Sequence, residues 1–229
     1  MMQPSPDYMG ARRDHDDTFV TTNQARERGV PDLRHYRADL TAGSLKVQES
    51  RIIADLLLRG VSEEGWKDAI VKENVLQARN PATAIRLARL IRQRLETMGA
   101  DLWGLVRDGN KIIATHAVLA AAIKQSALLG DFLDFVVRDQ YRAFKPKLSK
   151  AIWEDYLKDC RGRDPDMPLW NESTRRRLRS SVYQILSQAG LIESTRTLKL
   201  QPLHIAPQVL QYLRAHGEDY VVRCIQVAP

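Results

Sequence analysis

The sequence predicts a mainly α-helical fold, in which an N-terminal helical bundle precedes a smaller module of helices with one short β-hairpin. Through most of the chain, apolar residues recur every three or four positions between glycine and proline breaks, which is the spacing of a buried helix face. Residues 191–200, LIESTRTLKL, instead contain two short β-prone runs around Ser194 to Arg196, which is typical of a hairpin. The 44% hydrophobic and 28% charged shares are those of an ordinary globular protein.

A boundary between the two parts is predicted at Lys145-Pro146-Lys147. Proline disfavours helix at the residue before it, and the local charge turns basic there. We therefore expect a helical bundle over residues 31–144 and a basic module over residues 145–229. Residues 1–30 are polar, lack the apolar core of a signal peptide, and are expected to form a mobile tail.

Local signals place the helices of the bundle. The first is expected from residue 48 or 49 to Gly60, and the second begins after Ser62, a favourable N-cap. The third opens at Pro81, which suits a first turn, and ends at Gly99. Inward-facing residues on these helices are expected to be Ile52, Ile53, Leu56, Leu57, Trp66, Ile70, Val71, Ile85, Ala88, Ile91, Leu95 and Met98.

Residues 112–137 form a long apolar stretch that raises the question of a membrane span. Lys124, Asp131 and Asp134 lie inside it. Each charge at a bilayer centre costs roughly 2.5–3.5 kcal/mol, and little flanking hydrophobicity offsets that. The stretch is therefore interpreted as one long buried helix of a soluble bundle, without membrane insertion.

The module after residue 145 is expected to begin with a helix over SKAIWEDYLKDC, with Ile152, Tyr156 and Leu157 inside. A loop follows, and then a helix from Asn171 or Ser173 to Gly190. After the hairpin, APQVLQYLRAHG predicts another helix and YVVRCIQV a possible last strand.

Charge is distributed unevenly along the chain. The chain has 35 Lys and Arg residues against 28 Asp and Glu, a net charge of +7. Residues 145–229 hold 14 of the basic and 9 of the acidic residues, so most of the excess lies there. Such an excess indicates an acidic partner, most often nucleic acid.

Four arginines fall within five positions at the start of the helix that begins near Asn171. On a helix, Leu178, Val182, Ile185 and Ala189 form the buried stripe, and Arg175 lies near enough to cover it. The other three arginines are expected to point outward on the side of Ser180, Gln184 and Ser187. Cations near a helix N-terminus oppose the helix dipole, which is explained if phosphates approach this end.

A helix, a longer basic helix and a basic hairpin in this order resemble a winged helix, whose second helix enters the major groove. The candidate nucleic-acid-binding residues are Arg175, Arg176, Arg177, Arg179, Gln184, Arg196 and Lys199. A solvated or salt-bridged face is the alternative interpretation of such a cluster. Winged helices also bind proteins, so the shape does not decide the partner.

Other candidate sites carry less signal. Arg86 and Arg89 are a possible second basic patch. Asp131 and Asp134 share a helix face, but no histidine accompanies them, so a structural role, with Lys124 as one partner, is favoured over a metal site. No nucleotide-binding, zinc-protease or nucleophile motif occurs, and the two cysteines are far apart. We therefore expect no enzyme activity, no cofactor and no metal.

Three blocks of the sequence resemble the BrxA family of bacterial BREX (bacteriophage exclusion) phage-defence systems. They are YRADLTAGSLKVQESRIIADLLLRG at residues 36–60, AAIKQSALLGDFLDFVV at 121–137 and RSSVYQILSQAGLIES at 179–194. The resemblance implies a small, cytoplasmic, mostly helical accessory protein with no assigned catalytic role. The family's comparison to an antitermination-factor fold implies RNA, and its association with DNA binding implies DNA.

Together these observations predict a non-enzymatic, cytoplasmic component of phage defence that binds double-stranded DNA, mainly through phosphate contacts. Two alternatives stay open at this point. One is an RNA-binding protein of the antitermination kind that uses Arg86 and Arg89. The other is an assembly adaptor whose basic face docks on other BREX proteins.

Overall fold

The computed structural model of the chain describes residues 35–40 and 44–227. These residues belong to one compact unit, Arg34–Pro229. The predicted tail, residues 1–30, lies outside the described part.

The described residues are mainly helical, which confirms the mainly α-helical part of the predicted fold class. Two helices, Glu63–Lys67 and Ala127–Asp131, continue into single π-helical turns, which are Asp68–Lys72 and Phe132–Val137. The α-helices are α1 (Val47–Leu58), α2 (Glu63–Lys67), α3 (Pro81–Leu95), α4 (Ala100–Asp108), α5 (Lys111–Gln125), α6 (Ala127–Asp131), α7 (Arg138–Arg142), α8 (Ile152–Arg163), α9 (Glu172–Ala189), α10 (Pro207–Ala215) and α11 (Asp219–Ile225).

Short polar side chains cap several helices, and Ser62 does so at the position that the sequence predicts. Ser62 Oγ accepts from the Gly65 amide at 3.2 Å, and Asn80 Oδ1 accepts from the Thr83 amide at 2.9 Å. Asn110 caps α5 by accepting from the amides of Ile112 and Ile113. Each bond satisfies an amide that has no carbonyl partner inside its own helix.

Helix α5 lies at the centre of the core. Its residues from Ala117 to Ile123 are all fully buried. Helices α1, α3 and α4 pack against it from the first part of the chain, and α9, α10 and α11 from the second. Residues on both sides of the predicted boundary at Lys145 thus share one hydrophobic core. The division into a helical bundle and a basic module at that point stays a prediction.

The single long helix predicted over residues 112–137 is wrong. The chain breaks at Ser126, which has extended backbone angles (φ −121°, ψ 104°), and the two halves bend by 108°. Ser126 Oγ donates to Asp39 Oδ1 at 2.7 Å. The residue at the break thus contacts one 87 positions earlier in the chain, which the local apolar pattern did not reveal.

In the described residues, no single helix combines the length and apolarity that a membrane crossing requires. The bent pair Lys111–Gln125 and Ala127–Arg142 meets those criteria only when its two halves are taken together.

The predicted two-stranded hairpin is absent as regular strands from the described chain. Two isolated antiparallel bridges take its place, Ile192 with Leu200 and Lys147 with Lys199. Leu198, between them, has a left-handed backbone (φ 54°), so the regular extended geometry stops within a few residues. The turn residues 195–197 separate the two paired segments.

The last strand predicted over YVVRCIQV is also wrong, because this segment forms α11. Val221, Cys224 and Ile225 are buried on one side of that helix. Burial of this face against α5 outweighs the β-propensity of the two valines, since propensity differences are only a few tenths of a kcal/mol per residue.

Three predictions for the bundle and the module are corrected. Ile85, expected inside, is 45% exposed, whereas Trp153, which the spacing did not single out, is fully buried among aromatic rings. Lys124 pairs with Glu218 rather than with a nearby aspartate. All three outcomes depend on contacts between segments that are distant in sequence.

We expect the free energy of unfolding to fall as the pH drops below about 6.5, because of His116. Its buried Nδ1 accepts from the Ala206 amide at 3.0 Å, and burial lowers its pKa from 6.5. The unfolded state therefore takes up the proton first, and stability is lost by at most about 1.4 kcal/mol per pH unit. Urea unfolding at several pH values measures this slope.

The His116→Asn variant keeps an acceptor for Ala206 and removes the titration, so its slope is expected to be flatter. His204→Asn is the matched control, because His204 is exposed. A wild-type protein whose stability does not change between about pH 7 and 5 would contradict this assignment.

Candidate nucleic-acid interface

Helix α9 carries the arginine cluster and begins and ends as the sequence predicts. Asn171 Oδ1 accepts from the Thr174 amide at 2.9 Å, and Gly190 ends the helix with φ 86°. Leu178, Val182 and Ile185 are buried on the inner face of the helix. The apolar stripe thus sets the rotation of the helix and the direction of its polar face.

One side of α9 forms a polar stripe, and Glu172 lies one turn before its first arginine. Arg176 and Arg177 are exposed, and they contact no acid within the described ranges, residues 35–40 and 44–227. Over four turns the stripe is roughly 20 Å long, at 1.5 Å of rise per residue. We call this surface the arginine stripe, and its members are Ser173, Arg176, Arg177, Ser180, Gln184 and Ser187.

Arg175 covers the apolar side of α9, as its position predicts. It is half-buried and lies 3.8 Å from Glu154 Oε2 on α8. Its buried Nε has no hydrogen-bond partner in the part of the chain that is described. With Met167 and Trp170 it lines a small cavity. Arg175 thus joins α9 to α8 rather than to the exposed stripe.

Arg179 lies at the edge of the buried face of α9. The sequence predicted instead that it points outward with Arg176 and Arg177. It is half-buried near Tyr183. Burial raises the pKa of Tyr183 to about 12, and the positive charge of Arg179 works against that rise. Its guanidinium therefore lies at the border of the arginine stripe.

The two basic residues of the predicted hairpin are both exposed. Arg196 lies in the turn of residues 195–197, and Lys199 lies in the segment after it. Ser194 Oγ accepts from the Thr197 amide at 3.1 Å and holds the turn. We call residues 191–201 the wing segment.

Lys147 is a candidate that the sequence interpretation missed. It forms an antiparallel bridge with Lys199, which places two exposed lysines side by side on neighbouring segments. The bonds from the Leu148 amide to the Leu198 carbonyl and from the Leu200 amide to the Pro146 carbonyl hold them there. The basic character of Lys145-Pro146-Lys147 was visible in the sequence, but its pairing across 52 residues was not.

The possible second patch is not uniformly basic. Arg86 and Arg89 are both exposed on α3. Arg89 lines a groove together with Glu63, Glu64 and Glu96. These carboxylates reduce the positive potential that a phosphate backbone would meet there.

Asp131 at the end of α6 and Asp134 in the π-helical turn after it both have protein partners. Asp131 accepts from Tyr36 Oη at 2.7 Å and from Tyr220 Oη at 2.8 Å, and Asp134 pairs with Arg138 and Arg223. Within the described residues, no group of three His, Cys, Asp or Glu side chains could hold a metal ion.

Both cysteines are buried. Burial raises the pKa of Cys224 to about 12 and also raises the pKa of Cys160. A thiol with a raised pKa is a poor nucleophile at neutral pH, because the thiolate is the reactive form.

Comparison with known proteins gives the family. A family model described as BrxA matches residues 34–217. A protein of Paramagnetospirillum magneticum named BREX protein BrxA is 55% identical over 193 residues, which are 84% of this chain and 97% of the relative. The chain belongs to the BrxA family. The resemblance predicted from the three sequence blocks is confirmed.

A more distant relative and a solved structure also match the chain. The BREX protein BrxA of Escherichia coli O9:H4 is 31% identical over 188 residues, covering 82% of this chain and 88% of that protein. The crystal structure of an uncharacterized protein from Magnetospirillum magneticum matches with a TM-score of 0.79 and 52% identity. That match covers 85% of this chain and all of the solved chain.

Proposed function

We propose that this BrxA-family protein is a non-enzymatic, cytoplasmic component of a BREX phage-defence system that binds double-stranded DNA. The names of its relatives support the BREX assignment. The arginine stripe is the observation that carries the DNA assignment. Its two exposed arginines form no ion pair with the described residues and repel each other electrostatically, and a phosphate backbone is the common partner that relieves such repulsion.

The order of elements around α9 supports a winged-helix-like mode of binding. Helix α7 leads to the short segment of Lys147, which is followed by α8, α9 and the wing segment. In winged helices the helix in the position of α9 enters the major groove and the wing lies along the backbone. We assign contact with the DNA major groove to the arginine stripe, and contact with the DNA backbone to Arg196, Lys199 and Lys147.

Phosphate contacts dominate this proposed interface. Arginine and lysine neutralise phosphates without distinguishing sequences, and asparagine or glutamine is the usual reader of adenine. Gln184 is the candidate reader within the stripe. Arg175 and Arg179 support the helix from its half-buried side. We therefore expect strong salt dependence with weak sequence preference.

Replacing Arg176 and Arg177 together by Glu is expected to weaken binding of a labelled duplex by about 100-fold or more at low salt. Two phosphate contacts are lost and two repulsions appear, and the slope of log K against log salt falls by about two. Fluorescence anisotropy over about 50–200 mM salt measures both quantities. Since both arginines are exposed, the variant should keep its fold.

The matched control is Arg86→Glu with Arg89→Glu, which makes the same charge change on exposed positions of α3. Duplex binding by this control should fall only slightly. If the control loses binding and the stripe variant keeps it, or if only RNA binds, the antitermination-like alternative replaces our proposal. Absence of any nucleic-acid binding at low salt would leave the adaptor alternative.

A further inference from the structure

A second surface of the molecule has the features of a peptide-binding groove. It encloses about 550 Å³ between the end of α7, the segment that follows it, the end of the wing segment and the residues after α11. Its walls combine apolar and basic side chains, which are Arg138, Tyr141, Arg142, Phe144, Lys145, Pro146, Leu200, Pro202, Gln226 and Val227.

The charges of this groove have one sign. Arg138, Arg142 and Lys145 line it, and no Asp or Glu side chain of the described residues does. Arg138 is held in place by Asp134 at 3.0 Å. Arg142 has only a distant, exposed neighbour, Asp139 at 3.8 Å. Lys145 has no ion pair with the described residues, 35–40 and 44–227. Two cations are therefore available to a ligand.

Phe144 projects its ring into solvent from an unfavourable backbone conformation. Its side chain is 93% exposed, and its φ is 53°. It follows the C-cap of α7, a position that glycine usually takes because glycine has no Cβ to strain in the left-handed region. A phenyl ring there adds strain and buries nothing in the folded chain. Such a residue points to a contact made outside the molecule.

We propose that this groove binds a short acidic segment of a partner protein, which inserts an apolar side chain beside Phe144. The apolar walls of Leu200, Pro202 and Val227 match an aliphatic or aromatic anchor, and Arg142 and Lys145 match flanking carboxylates. This inference does not depend on DNA binding by the arginine stripe.

A peptide fits these walls better than a nucleic acid does. Single-stranded nucleic acids bind by stacking successive bases on several exposed aromatic rings. Here Phe144 is the exposed ring, because Tyr141 is half-buried and its hydroxyl donates to the Gln201 carbonyl. The walls of Leu200, Pro202 and Val227 present aliphatic surface rather than further aromatic faces for stacking.

The test is anisotropy of a panel of labelled peptides of about ten residues, with acidic flanks and different central apolar pairs. Members of the panel should bind, and replacing the apolar pair by alanine or the acids by lysine should weaken binding at least tenfold. Phe144→Ala and the double variant Arg142→Glu, Lys145→Glu should each weaken binding at least tenfold. Duplex DNA binding by Phe144→Ala should stay unchanged.

Phe144→Gly distinguishes the effect of losing the ring from the effect of the strained backbone. Glycine relieves the positive φ, so this variant should be at least as stable as wild type and still lose the peptide. The proposal is overturned if no acidic peptide binds, if lysine peptides bind equally well, or if Phe144→Ala binds like wild type. Loss of single-stranded DNA binding in Phe144→Ala, with no peptide bound, would identify a nucleic-acid surface instead.

Discussion

Arg94→Ala is expected to lower the free energy of unfolding by about 3–5 kcal/mol, the range for breaking a buried charged network. Arg94 is 2% exposed. Its guanidinium donates to Gln125 Oε1 at 3.2 Å and to the carbonyls of Ser44 and Leu45 at 3.3 Å. Burial lowers its pKa to about 10, and the carboxylate of Asp39 opposes that change. Alanine would leave these acceptors unpaired around a cavity.

Chemical unfolding of purified variants measures this loss. Arg86→Ala is the matched control on the same helix, because Arg86 is exposed, and it should change stability by less than about 0.5 kcal/mol. Arg94→Lys should recover only part of the loss, since one ammonium group cannot replace a planar fork with several donors. A loss below about 1 kcal/mol for Arg94→Ala would contradict a central role for this network.

Asp131→Ala is expected to lower the free energy of unfolding by about 3 kcal/mol or more. The change leaves two tyrosine hydroxyls without their carboxylate, and an unpaired buried polar group costs about 1–3 kcal/mol. Tyr36 is 2% exposed, and its amide also donates to Asp164 Oδ2 at 2.8 Å. Burial, reinforced by Asp131, raises the pKa of Tyr36 well above its usual value. The Asp131 carboxylate thus holds residues 35–40 against the core.

Asp131→Asn provides the informative comparison. Its amide oxygen still accepts from one hydroxyl, so the loss should be smaller than for alanine. Asp139→Ala, at an exposed position on α7, should change stability by less than about 0.5 kcal/mol. Equal stability of Asp131→Ala and wild type in urea unfolding would show that the tyrosine contacts contribute nothing to the fold.

Most helices could be predicted because their signals are local. Ser62, Asn80 and Asn110 cap the helices that follow them, and Gly190 ends α9. These signals act within four residues, which is the reach of a helical hydrogen bond. The wing segment and α11 were less predictable, because tertiary packing decides between extended and helical backbone for short β-branched runs.

The candidate site could be predicted where the spacing along α9 decides the direction of a side chain, and not where neighbouring elements decide it. The outward direction of Arg176 and Arg177 follows from the position of Leu178 on a regular helix. Arg179 lies at the edge of that face, and side chains of neighbouring elements decide whether an edge position is covered. Lys147 joined the site only through its pairing with Lys199.

The sequence by itself determined the helical class, the rotation of α9 about its apolar stripe, and the excess of positive charge after residue 145. These properties depend on composition and on spacing within a few residues. Only the tertiary structure decided that Arg94 is buried, that the chain bends at Ser126, and that Phe144 stands beside a basic groove. Each of these depends on groups 30 to 90 positions apart, whose approach is set by burial of the shared core rather than by any local preference.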